Sequence, residues 1–191
     1  MAVEQEMIGI SMTNTVLNVL APGGSKPASG NNPVAVAIPT FGEFPFVLDM
    51  AMSTVSGGKV RLAKAKGEKI PLDWAADGNG KPTNDPDSAH SRRLIPIGGY
   101  KGFGLSLVVD ILCGLITGGA FGDQIRSLYR EPDRPSLVGH FMMAINPLAI
   151  MTKDEMKERM AEYCAGGKAS PMRADSRRMY LPGEIESLTS L

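Results

Sequence analysis

Lys101 stands in "GGYKGFG" (Gly98 to Gly104), one ammonium among four glycines, directly ahead of an apolar run. Glycines let a backbone approach a ligand closely, and free N–H groups at a helix start favour an anion such as a phosphate. The stretch matches neither GxxxxGK(S/T) nor GxGxxG, so a tight turn before a buried helix and a phosphate cradle both stand open. Asp49 closes the run "FVLD" at a strand terminus, where α/β proteins gather ligand-binding groups. A carboxylate there could equally accept hydrogen bonds from ribose hydroxyls or cap a following helix. His90, ahead of "SRRLIP", and His140, in an apolar run, have no serine, cysteine or acid at a recognisable catalytic spacing, and both read as structural.

Metal and thiol chemistry are disfavoured by spacing. Cys113 lies in an apolar run and Cys164 near a helix end, with no CxxC and no neighbouring His pair, so inert thiols are expected rather than a disulfide or a zinc site. The carboxylates of "IPLDWAADGNGKPTNDPDSA" (Ile70 to Ala89) do not follow the EF-hand spacing. Asp77-Gly78 and Asn79-Gly80 mark turns in that polar excursion, and Trp74 is expected to anchor it by packing.

The elements that must position these groups follow from patterning. "MIGISM" (Met7 to Met12), "PVAVAIP" (Pro33 to Pro39), "FPFVLDM" (Phe44 to Met50) and "LVGHFMMAIN" (Leu137 to Asn146) are short apolar runs bounded by Gly, Pro or Asn, which predicts strands. Helices are predicted over Ser56 to Ala65, Gly104 to Ile116 and Lys153 to Ala165. The last has the fullest signature: Thr152 and Glu155 form a capping box, Met156, Met160 and Cys164 share a face, and Gly166-Gly167 is read as the stop. The segment from Gly166 to Arg178 reads as an exposed basic loop, and "APGGSKPASGNNP" as a turn-rich connection. An α/β domain results.

Composition bounds the function classes. The 191 residues are 43% hydrophobic, enough for one substantial core. Twenty basic residues balance twenty acidic ones, so no overall field draws the chain to nucleic acid or to an anionic membrane. The run Leu105 to Ile116 falls short of the roughly 20 residues a bilayer span needs, and the N-terminal stretch lacks a signal-peptide pattern, which together suggest a cytoplasmic protein. "AVEQEM" reads as the last turn of a helix, and "GEIESLTSL" stops soon after a turn. The expectation is a single domain over residues 1–191, truncated at both ends.

Taken in order, "GISMTNT" (Gly9 to Thr15), "GNNPVAVAIP" (Gly30 to Pro39), "LDMAMS" (Leu48 to Ser53), Gly58-Lys59, the spaced residues from Ile70 to Pro86, "GGYKGFGL" (Gly98 to Leu105), Phe121-Gly122 and "YLPGE" (Tyr180 to Glu184) resemble one family over nearly the whole chain. It is the malate/L-lactate dehydrogenase family of non-Rossmann NAD(P)-dependent oxidoreductases, which includes ureidoglycolate dehydrogenase, sulfolactate dehydrogenase and 2,3-diketogulonate reductase. The resemblance implies an α/β fold with a mixed β-sheet and flanking helices, a cofactor that is NAD or NADP, a small 2-hydroxy or 2-oxo acid as substrate, and a homodimer in the complete enzyme. It places Thr15, Asp49, Met50, Ala51, Lys101, Gly183, Glu184 and Ile185 at the dinucleotide. The family's catalytic histidine belongs to a segment upstream of Met1, and neither His90 nor His140 occupies its position. The chain is therefore expected to supply mainly the cofactor half, as an oxidoreductase or, alternatively, as a non-catalytic dinucleotide-binding or interaction protein.

Overall fold

The architecture comes from a computed structural model that describes residues 1–176 and 178–189. Six strands form: β1 (Ile8–Thr13), β2 (Val19–Leu20), β3 (Pro27–Ser29), β4 (Val34–Ile38), β5 (Phe46–Met50) and β6 (His140–Ile145). They are accompanied by α1 (Gly57–Lys66), α2 (Tyr100–Asp110), α3 (Lys153–Lys168) and α4 (Glu184–Thr189). The four predicted strands correspond to β1, β4, β5 and β6, and these make one sheet in the order β5-β4-β1-β6. The seven residues between β4 and β5 (39–45) are too few for the crossover a parallel pair requires, and no helix separates β1 from β4. A doubly wound parallel sheet cannot be built this way. The fold is α/β with strands and flanking helices, as expected.

The chain divides into two compact units. One comprises Met1–Ser11, Ala35–Asp49 and Met142–Leu191, and the other Met12–Val34 and Met50–Phe141. The first holds most of the four-stranded sheet together with α3 and α4. Helix α3 starts as its sequence dictates: the Thr152 hydroxyl accepts from the Glu155 N–H, and the Glu155 carboxylate accepts from the Thr152 N–H at 2.8 Å. It does not stop at Gly166-Gly167, as the glycine pair suggests, but runs on to Lys168. The Lys168 ammonium reaches the Glu184 carboxylate at 2.9 Å, an anchor that offsets the helix cost of about 1 kcal/mol per glycine.

The second unit has its own core of Val19, Val55, Val60, Ala63, Ile70, Ala75 and Leu94, with Trp74 packed against it. Trp74 thus anchors the long polar excursion, as its composition predicts. The loop's acids serve the loop itself: Asp77 accepts from the N–H groups of Asn79 (2.8 Å) and Lys81 (3.0 Å), and Asp85 from that of Asp87 (3.0 Å). Antiparallel β2 and β3 lie in the segment read as a turn-rich connection. Two or three residues per strand are too few for period-2 patterning to show.

Helix α2 begins four residues before the predicted start and passes at Asp110 into a π-helical turn, Ile111–Leu115. Asp110 is buried at this junction, and burial pushes its carboxyl above the usual carboxylate range, against the hydrogen bonds from Asn14 and the Gly122 backbone. Cys113, at the centre of the π turn, is fully buried, and burial raises its thiol further above the ordinary range. Cys113 and Cys164 are both free thiols. No helix among the described residues is long and apolar enough to cross a membrane.

Candidate functional site

The second unit carries Thr15, Met50, Ala51 and Lys101. Thr15 follows β1 and is fixed by two asparagines: its N–H donates to Asn32 Oδ1 at 2.9 Å, and its hydroxyl donates to Asn31 Oδ1 at 2.9 Å. Asn32 is itself fully buried and donates to the Ser106 carbonyl on α2 at 2.8 Å, while the Ser106 hydroxyl donates to the Gly30 carbonyl at 2.8 Å. These bonds tie the Thr15 turn to helix α2 through satisfied buried polar groups, which hold one arrangement. Gly30 is required at the junction, because a Cβ there would lie 2.4 Å from the Thr15 hydroxyl.

Met50 and Ala51 lead into a segment whose backbone is paired. The Met52 N–H donates to the Asn31 carbonyl at 2.7 Å, the Thr54 N–H to Ile95 at 2.9 Å, and the Ile97 N–H to Met52 at 2.9 Å. Ser53 forms an isolated bridge with Pro96. The chain just after Ala51 is thereby bonded to the residues just before Gly98, so the lysine turn and the Met50-Ala51 segment share one neighbourhood.

The glycines around Lys101 have conformational causes. Gly98 and Gly99 have φ of 60° and 64°, and a Cβ on Gly102 would come 2.0 Å from the Ile97 carbonyl oxygen. The N–H groups of Gly99, Lys101 and Gly102 bond to the carbonyls of Pro96, Gly98 and Ile97, closing the turn. The turn reading thus accounts for the backbone, and what remains for a ligand is the Lys101 side chain. It is exposed on the first turn of α2, with no ion pair among the described residues.

The first unit carries Asp49, Gly183, Glu184 and Ile185. Asp49 is exposed on β5. The cap of α1 is Ser56, whose hydroxyl accepts from the Lys59 N–H at 3.3 Å, so the helix-capping alternative for Asp49 is set aside. Pro182 and Gly183 lie against the same strand: the Val47 N–H donates to the Pro182 carbonyl at 3.0 Å, and Gly183, with φ of 86°, would set a Cβ 2.8 Å from that of Val47. Substituting Asp49 by Asn should weaken dinucleotide binding by about 1 kcal/mol if the carboxylate accepts from a ribose, while thermal stability stays unchanged. Calorimetric titration beside a melting curve checks this. Lower stability with intact affinity would return Asp49 to a structural role.

Glu184 has a different setting from the other predicted residues. The residue is 2% exposed, and its carboxylate accepts from Lys168 at 2.9 Å, from the Leu181 N–H at 3.1 Å and from Arg178. The Lys168 hydrogen bond, then that of the Leu181 N–H, holds its carboxyl below the usual glutamate range against the opposing effect of burial, with Arg178 adding to the lowering. A depressed folded value means that this stabilisation is complete above the unfolded glutamate pKa and is lost as pH falls through the folded one. Glu184→Gln should therefore melt lower than the parent near neutral pH and lose less on acidification. Parallel acid profiles for the two proteins would contradict that role.

His90 and His140 stand apart from these groups. His90 Nδ1 accepts from the Arg92 N–H at 3.1 Å, and His140 is the exposed first residue of β6. Sequence reading missed what surrounds His90. Lys26, Arg92, Arg93 and Arg130 border one cavity with it, and only the "SRR" triplet gave any local sign of that cluster.

The family described as malate/L-lactate dehydrogenase matches residues 1–190. The chain is 40% identical over 197 aligned positions to a malate dehydrogenase of Pyrococcus abyssi, covering 99% of this chain and 53% of that protein. It is 40% identical over 141 residues to a (2R)-3-sulfolactate dehydrogenase (NADP(+)) of Chromohalobacter salexigens, covering 74% of this chain and 42% of the relative. Among solved structures, the sulfolactate dehydrogenase of Methanocaldococcus jannaschii superposes with a TM-score of 0.87 at 37% identity, over 98% of this chain and 53% of that one. The chain spans about half the length of the relatives it matches.

Proposed function

The chain belongs to the malate/L-lactate dehydrogenase family, and on that premise we propose that the whole protein is an NAD- or NADP-dependent oxidoreductase acting at the C2 carbon of a small 2-hydroxy or 2-oxo acid. Residues 1–191 supply mainly the cofactor site. The observation that carries this reading is the backbone pairing of Met52 and Thr54 with Ile95 and Ile97, which brings the Lys101 turn to the segment that begins at Met50. Groups of the right kinds are present: an exposed carboxylate at Asp49, an exposed ammonium at Lys101 with no ion pair among the described residues, and a half-buried turn hydroxyl at Thr15 that donates to Asn31. They fit a dinucleotide chemically.

Asp49 accepts from ribose hydroxyls, and Lys101 neutralises phosphate charge. Thr15, whose hydroxyl hydrogen is committed to Asn31, offers an oxygen lone pair. Met50, Ala51, Gly183, Glu184 and Ile185 contribute backbone, because the Glu184 carboxylate is already committed to two cations. When bound, the nicotinamide supplies or accepts the hydride. The named relatives act as malate and sulfolactate dehydrogenases, which supports a small hydroxy acid as substrate. A homodimer and a cytoplasmic location belong to the same proposal.

A second reading, a dinucleotide-binding protein without turnover, is favoured by the setting of His90. Burial, then Arg93, Arg92 and Arg130, lower its proton affinity, which disfavours the charged form a proton donor would need. Titration with NADH and NADPH tests what the two readings share. Saturable binding of either cofactor supports them, and binding of neither removes both.

A further inference from the structure

Overall neutrality hides a local excess of positive charge. In the second unit, Leu17, Lys26, His90, Arg92, Arg93 and Arg130 border a cavity of about 390 Å³ that has no carboxylate in its lining. The five basic side chains come from three places in the sequence: the residue before β3, the segment 90–93, and the loop that carries Arg130. None of the four permanent cations forms an ion pair among the described residues. Two arginines are instead oriented by backbone carbonyls: the Arg92 guanidinium donates to Leu17 at 3.5 Å, and Arg93 Nε donates to Ser25 at 3.2 Å. Like charges converge with no acid between them, an arrangement that costs free energy until an anion enters.

The geometry points to a phosphate-binding site in this cavity, formed by Lys26, His90, Arg92, Arg93 and Arg130. Planar guanidiniums from different segments suit the several oxygens of a dianionic phosphate, which accepts paired hydrogen bonds. A single carboxylate would leave most of these donors unused. The phosphate is either a free anion or one borne by a nucleotide, and the chemistry of recognition is the same for both. The site is argued from this cluster alone, and binding of free phosphate supports it whatever becomes of the cofactor reading.

The electrostatics give a second signature. The charges that face His90 are Arg92 and Arg93 on its own segment, Arg130 on its loop, and Lys26 before β3. Burial and the three arginines together hold His90 below the ordinary histidine value. An anion seated among them removes most of that repulsion, so His90 should take up a proton more readily in the complex.

The test uses the 191-residue chain with inorganic phosphate, ADP and 2′,5′-ADP as probes, read by calorimetry and by the His90 ring signals in NMR. Arg130→Ala and Lys26→Ala both alter exposed side chains, and a melting curve on each establishes that the fold is kept. Phosphate should bind and move the His90 titration upward, and the paired substitution should weaken binding by about tenfold or more, as when charge-assisted hydrogen bonds are lost. If 2′,5′-ADP binds while ADP and free phosphate do not, the site is still supported, and its source is a nucleotide 2′-phosphate. If no probe binds, or if the folded Lys26/Arg130 variant binds phosphate as tightly as the parent, the assignment is overturned.

Discussion

Residues 1–191 alone should bind nicotinamide dinucleotide and show no measurable reduction of 2-oxo acids. Hydride transfer to a carbonyl needs a proton donor within hydrogen-bond reach, and positioned acid–base catalysis typically contributes about 10²- to 10⁴-fold. His90 is tied through Nδ1 to the Arg92 N–H and surrounded by arginines that disfavour its charged form. Among the described residues, the backbone leading into the Lys101 turn pairs with Met52 and Thr54 and with neither histidine. The loss should exceed the acid–base factor, because the chain spans about half of its relatives' length, and the groups that orient substrate contribute through positioning as well. The assay follows NADH and NADPH oxidation against a panel of 2-oxo acids, first with the chain and then with the complementary part of a full-length relative added. Activity in the second case only is the expected pattern. Turnover by the chain alone would move the proton-transfer role onto His90, His140 or an acid such as Asp110.

Replacing Lys101 by Ala should weaken dinucleotide binding by about 1 to 3 kcal/mol, the range for a charge-assisted hydrogen bond to phosphate. The fold should be indifferent to the change. The ammonium is exposed with no ion pair among the described residues, and the turn beneath it is held by backbone bonds and by Gly98, Gly99 and Gly102. Because the missing group is a charge, the gap between parent and variant should narrow as salt is raised. Calorimetric titration of both proteins at two ionic strengths measures it. Equal affinities would remove Lys101 from the site.

Much of this arrangement can be read in the residues, and the exceptions have physical causes. The four sheet strands, the capping box at Thr152 and the anchoring by Trp74 are local signals that packing reinforces. Helix α3 overruns its glycine pair because Lys168 gains a buried carboxylate sixteen residues away, which no local pattern encodes. The start of α2 is disguised by Gly102, which discounts a helix by propensity yet is needed there for close approach to Ile97. The short helix α4 begins at Glu184 in a stretch that reads only as the end of a turn, since six residues carry too little periodicity. The predicted site residues were legible as a series of landmarks. The asparagines that hold Thr15 and the arginines around His90 were not, because their roles depend on partners distant in sequence.

The most direct test of the cofactor site is backbone hydrogen exchange, followed by mass spectrometry, with and without saturating NADH or NADPH. Binding at the proposed residues should slow exchange in peptides covering 49–54, 98–104 and 182–186, with little change in the Trp74 loop. Saturable binding that leaves all three stretches at their unliganded rates, with protection appearing elsewhere, would contradict the assignment.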